Sequence, residues 1–302
     1  MLYENILGMI GDTPVVRLNN VVPYGAAEIF LKGENFNPSG SIKDRAAIAM
    51  IRDAESKGLL KKGDYIVEPT SGNMGIGISM VAAVLGYKSI IIMPDTMSKE
   101  RIGLMKAYGA EVIITDGADG IAGAVRKAEK IVAAGNGFMP QQFRNSANVI
   151  AHMNGTANEI LADIPDVNAV VASIGTGGTI TGVGRGMRNL SPGVKVIGVE
   201  PFESPLLTKG VTGDHKIQGI GTNFVPEILD LGYVDEIVTI KSDDAMKMTK
   251  LLAKEEGLLV GISTGAAVAA SVEIAVRYGK GKKVVVVAAD NGERYMSTGV
   301  FD

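Results

Sequence analysis

Along the chain, short apolar runs alternate with longer segments whose apolar residues recur at helical spacing. Residues 65–68, 89–93, 111–115 and 137–139 read as strands, with helical stretches at 75–85, 98–108 and 118–134 between them. A helix at 149–162 and a strand at 169–174 follow. Strands at 195–200, 236–240 and 282–288 and helices at 242–256 and 265–278 complete the pattern. The strand runs are apolar throughout rather than at every second residue, as in a parallel sheet covered on both faces. The expected fold class is α/β, with two open, twisted, mostly parallel sheets carrying helices on both faces. A boundary near residue 147 would separate an N-terminal domain, 1–147, from a C-terminal domain, 148–302. Residues from about 12 to 34 have the option of packing with the second domain. Neither an internal repeat nor a heptad array nor a low-complexity linker interrupts the pattern.

Composition narrows the chemistry. A length of 302 residues suits two domains of ordinary size, and 39 glycines in a chain that is 46% hydrophobic and 21% charged point to a folded protein rich in tight turns. Thirty basic residues stand against 33 acidic ones without blocks, so there is no footprint for nucleic acid or an anionic membrane. The absence of cysteine excludes disulfides, thiolate metal sites and a cysteine nucleophile. His152 and His215 are the only imidazoles and read as surface or hydrogen-bonding groups, so no metal is assigned. With no basic leader followed by an apolar run, and no apolar stretch of about 18 residues, a cytoplasmic enzyme is expected.

Open parallel sheets bind ligands beyond the carboxyl ends of their strands, so the strand-to-helix turns are the places to search. Three are rich in Gly, Ser and Thr: Glu68-Pro69-Thr70-Ser71-Gly72-Asn73-Met74-Gly75, Gly175-Thr176-Gly177-Gly178-Thr179 and Gly261-Ile262-Ser263-Thr264-Gly265. The first lies in one half and the other two in the second, which puts the expected site between the domains. Gly175 to Thr179 reads as a phosphate cradle, because glycines let successive N–H groups approach an anion at a helix N-terminus. A plain tight turn is the other reading; a dinucleotide or P-loop site lacks the full glycine spacing and the lysine. In Asn37-Pro38-Ser39-Gly40-Ser41-Ile42-Lys43-Asp44-Arg45 a lysine opens a helix, where the dipole favours its neutral, nucleophilic amine. By itself, however, Lys43 reads as a solvated surface lysine.

Further ordered motifs surround these: Thr13-Pro14-Val15-Val16-Arg17-Leu18, Gln141-Gln142-Phe143, His215-Lys216-Ile217-Gln218-Gly219-Ile220-Gly221 and Gly292-Glu293-Arg294-Tyr295-Met296-Ser297-Thr298. Together they make the whole chain resemble the cysteine synthase (O-acetylserine sulfhydrylase) family, kin of cystathionine β-synthase. The resemblance implies the fold type II architecture of pyridoxal 5'-phosphate (PLP) enzymes, similar to the β subunit of tryptophan synthase. It implies that Lys43 bonds the cofactor as a Schiff base and removes the substrate α-proton. Gly175, Thr176, Gly177, Gly178 and Thr179 would hold the cofactor phosphate, Asn73 its 3'-hydroxyl, and Ser263 would face its ring nitrogen. A hydroxyl there makes a weaker electron sink than a carboxylate partner would, which suits β-elimination through aminoacrylate. Thr70, Ser71, Asn73 and Gln142 would grip the substrate α-carboxylate; Thr70 and Ser71 also read as helix caps.

The implied activity is β-replacement: O-acetyl-L-serine and sulfide give L-cysteine and acetate. The alternative consumes cysteine, releasing hydrogen sulfide and forming serine, lanthionine or cystathionine; a serine or threonine dehydratase stands behind both. A homodimer is implied, with a small amino acid and sulfide or a thiol as substrates, and the C-terminal tail of a serine acetyltransferase as a partner that some family members bind. The chain departs from the family at Met74, where threonine is usual, and at Thr222 and Asn223, after Gly221, where two small residues are usual. Ala289-Asp290-Asn291 replaces Pro-Ser-x, and Thr264 replaces serine. Met74, Gly221, Thr222 and Asn223 are therefore candidate substrate-side residues. Gly292 to Tyr295 is expected to pack the C-terminal strand rather than to serve the site.

Overall fold

The computed structural model describes residues 2–70, 72–135 and 137–302. In chain order its strands are β1 (Val15–Leu18), β2 (Glu28–Gly33), β3 (Tyr65–Pro69), β4 (Lys88–Pro94), β5 (Glu111–Thr115), β6 (Gly137–Phe138), β7 (Ala169–Ser173), β8 (Lys195–Pro201), β9 (Glu236–Ile240) and β10 (Lys283–Ala288). The helices are α1 (Lys43–Ser56), α2 (Asn73–Leu85), α3 (Lys99–Ala107), α4 (Gly120–Ala133), α5 (Ser146–Ala151), α6 (Ala157–Asp163), α7 (Gly178–Leu190), α8 (Leu206–Lys209), α9 (Ser242–Glu256) and α10 (Ile262–Tyr278). The strands form a six-stranded sheet in the order β1-β2-β10-β7-β8-β9 and a four-stranded sheet in the order β5-β4-β3-β6. Only the β1–β2 pairing is antiparallel.

Both sheets reverse their strand order once. From β3 the small sheet winds outward through β4 and β5, while β6 returns on the other side of β3. From β7 the large sheet winds through β8 and β9, while β10 returns on the other side of β7. At such switch points neighbouring loops part and leave a crevice beyond the carboxyl ends of the strands. The loops after β3, β6, β7 and β10 therefore line the crevices, while the turns at Lys43, Gly221 and Gly261 come from other connections and hydrogen-bond to them through Ala289, Ile174 and Asp290.

Apolar burial holds the frame. Val284, Val285 and Val286 of β10 are fully buried, in register with Ile29, Phe30 and Leu31 of β2 and with Ala169, Val170 and Val171 of β7. Each such side chain contributes roughly 1.5–3 kcal/mol relative to exposure. The expected strands and helices lie where the apolar pattern placed them, to within a few residues. The structure adds β1 and β2, which the pattern did not single out. The expected helix at 149–162 starts earlier, because the Asn145 side chain accepts from the Ala147 N–H, and passes through a π-helical segment, His152–Thr156, between α5 and α6. No helix among the described residues is long and apolar enough to cross a membrane.

Candidate active site

Lys43 is the first residue of α1, and the turn before it is tied to β10 from outside. The Ile42 N–H donates to Ala289 O at 2.8 Å, the Asn291 N–H donates to Gly40 O at 3.2 Å, and Ser41 bridges Asp290. Gly40 sits at φ +83°, and a Cβ there would meet the Arg294 guanidinium at 2.6 Å, so only glycine fits. The Ser39 N–H donates to Asp44 Oδ2 at 2.7 Å and the Ser39 hydroxyl to Asp44 Oδ1, closing the turn. Burial pushes the Asp44 carboxyl up to about 6 against those two bonds. Arg45 anchors the helix through Glu34, at 2.7 Å, and Glu159, at 2.6 Å. The surface that Lys43 leaves accessible faces the central cavity it lines, not bulk water, and burial lowers its ammonium pKa against the raising charge of Asp290. It is not the solvated surface lysine that sequence alone also allowed.

The Gly175–Thr179 turn leaves β7 and enters α7. Gly177 lies at φ +83°; a Cβ on Gly175 would stand 2.5 Å from Gly219 O, and one on Gly178 2.2 Å from Asn148 Oδ1. Asn148 donates to Thr176 Oγ1 at 3.2 Å and braces the turn. The first-turn N–H groups of α7 have no intrahelical partners, and the turn lines the cavity. The Gly178 N–H donates to Thr176 Oγ1 at 3.3 Å, and the other N–H groups of this glycine-walled first turn fit a phosphate dianion. His152 is buried behind it, Nε2 3.3 Å from Thr179 Oγ1, and burial followed by the charges of Arg45 and Lys43 lowers its pKa. It is a hydrogen-bonding histidine, one of the two readings the sequence allowed.

On the small-sheet side, Thr70, Asn73, Met74 and Gln142 line the same cavity as Lys43; Ser71 lies outside the described residues. Thr70 Oγ1 accepts from the Gly72 N–H at 3.1 Å, a bond within the turn; the N-cap of α2 is Gly72, which has no side-chain cap, so the expected helix cap is not made by Thr70. Gln142 follows Gln141, whose φ of +58° is uncommon for a side chain with a Cβ. Both N–H groups point at Glu68, at 3.2 and 3.4 Å, and burial drives that carboxyl up to about 8 against them. Ser263 is buried in the first turn of α10 and lines the cavity from the large sheet. That helix starts at Ile262, earlier than its apolar pattern, because Gly261 passes so close to Asp290 that a Cβ would meet Oδ1 at 2.0 Å.

The cavity encloses about 260 Å³. Thr222 lines it, whereas Gly221 turns away at φ +67°, its carbonyl accepting from His215 at 3.2 Å, and Asn223 is exposed and not among the lining residues. Sequence reasoning missed Arg101, Gln218 and Asp290 as site groups. It expected Gly292 to Tyr295 to pack the C-terminal strand, and Tyr295 does share a core cluster with Val284, Val286 and Ala288 of β10. The segment also reaches the site: Arg294 donates to Asn73 Oδ1 at 2.6 Å and to Ser39 O at 2.7 Å, and the Tyr295 hydroxyl donates to Asp290 Oδ2 at 2.6 Å. The departure at Asp290 was a visible signal; that of Arg101 was not, since a lysine- and arginine-bearing helix reads as a solvated one.

Comparison with known proteins places this geometry. A family model described as pyridoxal-phosphate dependent enzyme matches residues 6–290. A probable cysteine synthase from Bacillus subtilis is 51% identical, covering 99% of this chain and 98% of that relative. A cysteine synthase from Staphylococcus aureus is 47% identical over 99% and 97%. The crystal structure of a hydrogen sulfide-producing enzyme from Fusobacterium nucleatum superposes with a TM-score of 0.95 at 44% identity, over 98% of this chain and all of that one. With a lysine lining the cavity, a glycine-rich turn at a helix N-terminus and full-length similarity, the chain belongs to the pyridoxal-phosphate dependent enzyme family.

Proposed function

We propose that the chain is a cysteine synthase, replacing the acetate of O-acetyl-L-serine by sulfide to give L-cysteine. The observation that carries the reading is one cavity in which Lys43, its ammonium form disfavoured by burial, lies among two separate sets of anion donors, and the 51% and 47% identities to cysteine synthases support the choice of reaction. Gly175, Thr176, Gly177, Gly178 and Thr179 would hold the PLP phosphate, Asn73 and Ser263 its ring, and Lys43 would carry it covalently. When bound, PLP supplies the electron sink that makes the substrate α-proton acidic. Lys43 Nζ, whose ammonium form burial disfavours, would take that proton. Thr70, Ser71, Asn73 and Gln142 hold the α-carboxylate, and the neutral Ser263 hydroxyl leaves the ring without a charged partner. Met74 and Thr222 narrow the side from which sulfide arrives.

A second reading, release of hydrogen sulfide from cysteine, is favoured by Met74, an apolar group where a hydroxyl is usual, and by the Fusobacterium nucleatum likeness. Purified protein loaded with PLP separates the two. Acetate release from O-acetylserine with sulfide faster than sulfide release from cysteine supports the first reading, and the reverse order replaces it by the second. The proposal extends to a cytoplasmic homodimer, divided near residue 147 into its two domains, whose carboxylate-binding loop also receives the C-terminal tail of a serine acetyltransferase.

A further inference from the structure

Arg101 is a buried cation with unfilled donors in the wall of the active cavity. It lies on α3, with only 2% of its surface exposed, and its side chain passes against the asparagine loop, where a Cβ on Gly72 would meet its Cδ at 2.2 Å. Nη1 donates to Gln218 Oε1 at 2.6 Å and more distantly to Ser98 Oγ, and the guanidinium stacks on the Tyr295 ring with Cζ 4.8 Å from the centroid. Nε is buried without a partner, and among the described residues Nη2 has no hydrogen-bond partner and no carboxylate pairs with the group. A guanidinium stays charged at any accessible pH, and a buried cation lacking an anion is costly. The wall is therefore incomplete without an anion from the reaction itself.

Besides the hydrosulfide nucleophile, three oxyanions would occupy this cavity if the function proposed above holds. The phosphate has the Gly175–Thr179 turn, and the α-carboxylate has Thr70, Asn73 and Gln142. The remaining oxyanion is the carboxylate that departs from the β-carbon, and Arg101 lines the same cavity as a charged donor with no assigned anion. Met74 and Met97 line the same cavity and offer an apolar surface for the methyl end of an acyl group. We propose that Arg101 is a specificity-determining residue that binds the carboxylate leaving group. In the reaction the α-proton passes to Lys43 Nζ and back to Cα. The Cβ–O bond breaks with its electron pair leaving on oxygen as acetate, and hydrosulfide forms the new Cβ–S bond while keeping its own proton. The growing charge on the departing oxygen is what Arg101 would meet.

The test uses PLP-loaded enzyme and the variants Arg101→Gln and Arg101→Lys, with sulfide and two donors: O-acetylserine and β-chloroalanine, which releases chloride. A charge-assisted hydrogen bond made to the leaving carboxylate predicts that Arg101→Gln lowers kcat/KM for O-acetylserine roughly 10- to 100-fold more than for β-chloroalanine. Acetate titrated into enzyme already saturated with L-serine, so that the α-carboxylate grip is occupied, should bind the wild type and not Arg101→Gln. Equal losses with both donors, or unchanged acetate binding, would mean that Arg101 only braces Gln218 and Tyr295, and would overturn the inference. Should Arg101→Gln not fold, Arg101→Lys, which keeps the charge but loses the fork, decides by the same ratio. A wild type that binds acetate but does not turn over O-acetylserine would sink the proposed function and not this one.

Discussion

The side-chain amide of Asn73 donates to Asp290 Oδ2 at 2.7 Å, joining the asparagine loop of the small sheet to the carboxyl end of β10 in the large one. Asp290 is fully buried; the same oxygen takes the Tyr295 hydroxyl, and Oδ1 has no partner. With Arg294 holding the other end of the Asn73 amide, the loop that faces Lys43 is aimed by residues more than two hundred positions away.

Asp290→Ala should therefore strand the buried Tyr295 hydroxyl and release the half-buried Asn73 amide. The expected cost is about 1–3 kcal/mol for the buried hydroxyl left unpaired, and less for the amide. Chemical denaturation measures it, and PLP titration of the variant should show weaker binding. A variant as stable as the wild type would show that Asp290 does not hold Asn73.

Lys43→Ala should lower turnover by roughly 10²- to 10⁴-fold or more through loss of the general base. It should also remove the visible absorbance of covalently held PLP, while PLP still binds through the intact Gly175–Thr179 cradle. Retention of full turnover would refute the assignment.

Burial alone would raise the Glu159 carboxyl, but the hydrogen bonds and charge of Arg45, followed by those of Lys32, hold it at about 2 against an ordinary 4.5. A folded pKa below the unfolded one gives stability that is present above about 4.5 and disappears as pH falls toward 2. Thermal midpoints of wild type and Glu159→Gln should differ by a constant amount above pH 5 and converge in acid.

Glu68 behaves in the opposite sense. Burial raises its carboxyl from 4.5 to about 8, so between those values the folded state binds the extra proton and stability falls as pH rises. Glu68→Gln, neutral at every pH, should gain on the wild type from pH 5 to pH 8 in the same thermal assay. Parallel curves would show that Glu68 is ionised in the folded protein at neutral pH.

The legible parts of the molecule are those whose cause is local. An unbroken apolar run such as 284–287 reads as a buried parallel strand in isolation, and helices α4 and α9 follow from their own periodicity. The turn at Gly175 to Thr179 is equally local, since its glycines answer to a positive φ and to close backbone contacts. β1 and β2 were not legible, because β2 is a strand by virtue of pairing with β10, some 250 positions away. The role of Arg294 and Tyr295 was hidden for the same reason: their partners, Ser39, Asn73 and Asp290, come from three separate segments.

The sequence by itself determined the α/β class, the turns that can receive phosphate and carboxylate, and, through its ordered motifs, the lysine proposed to carry the chemistry. Tertiary structure alone decided that Asp290 and Arg294 hold Asn73, that Arg101 enters the cavity without a counter-charge while Asn223 stays outside it, and that burial lowers the Lys43 pKa. Propensity and spacing act over a few residues, whereas burial and charge pairing depend on which loops the strand orders of the two sheets bring together.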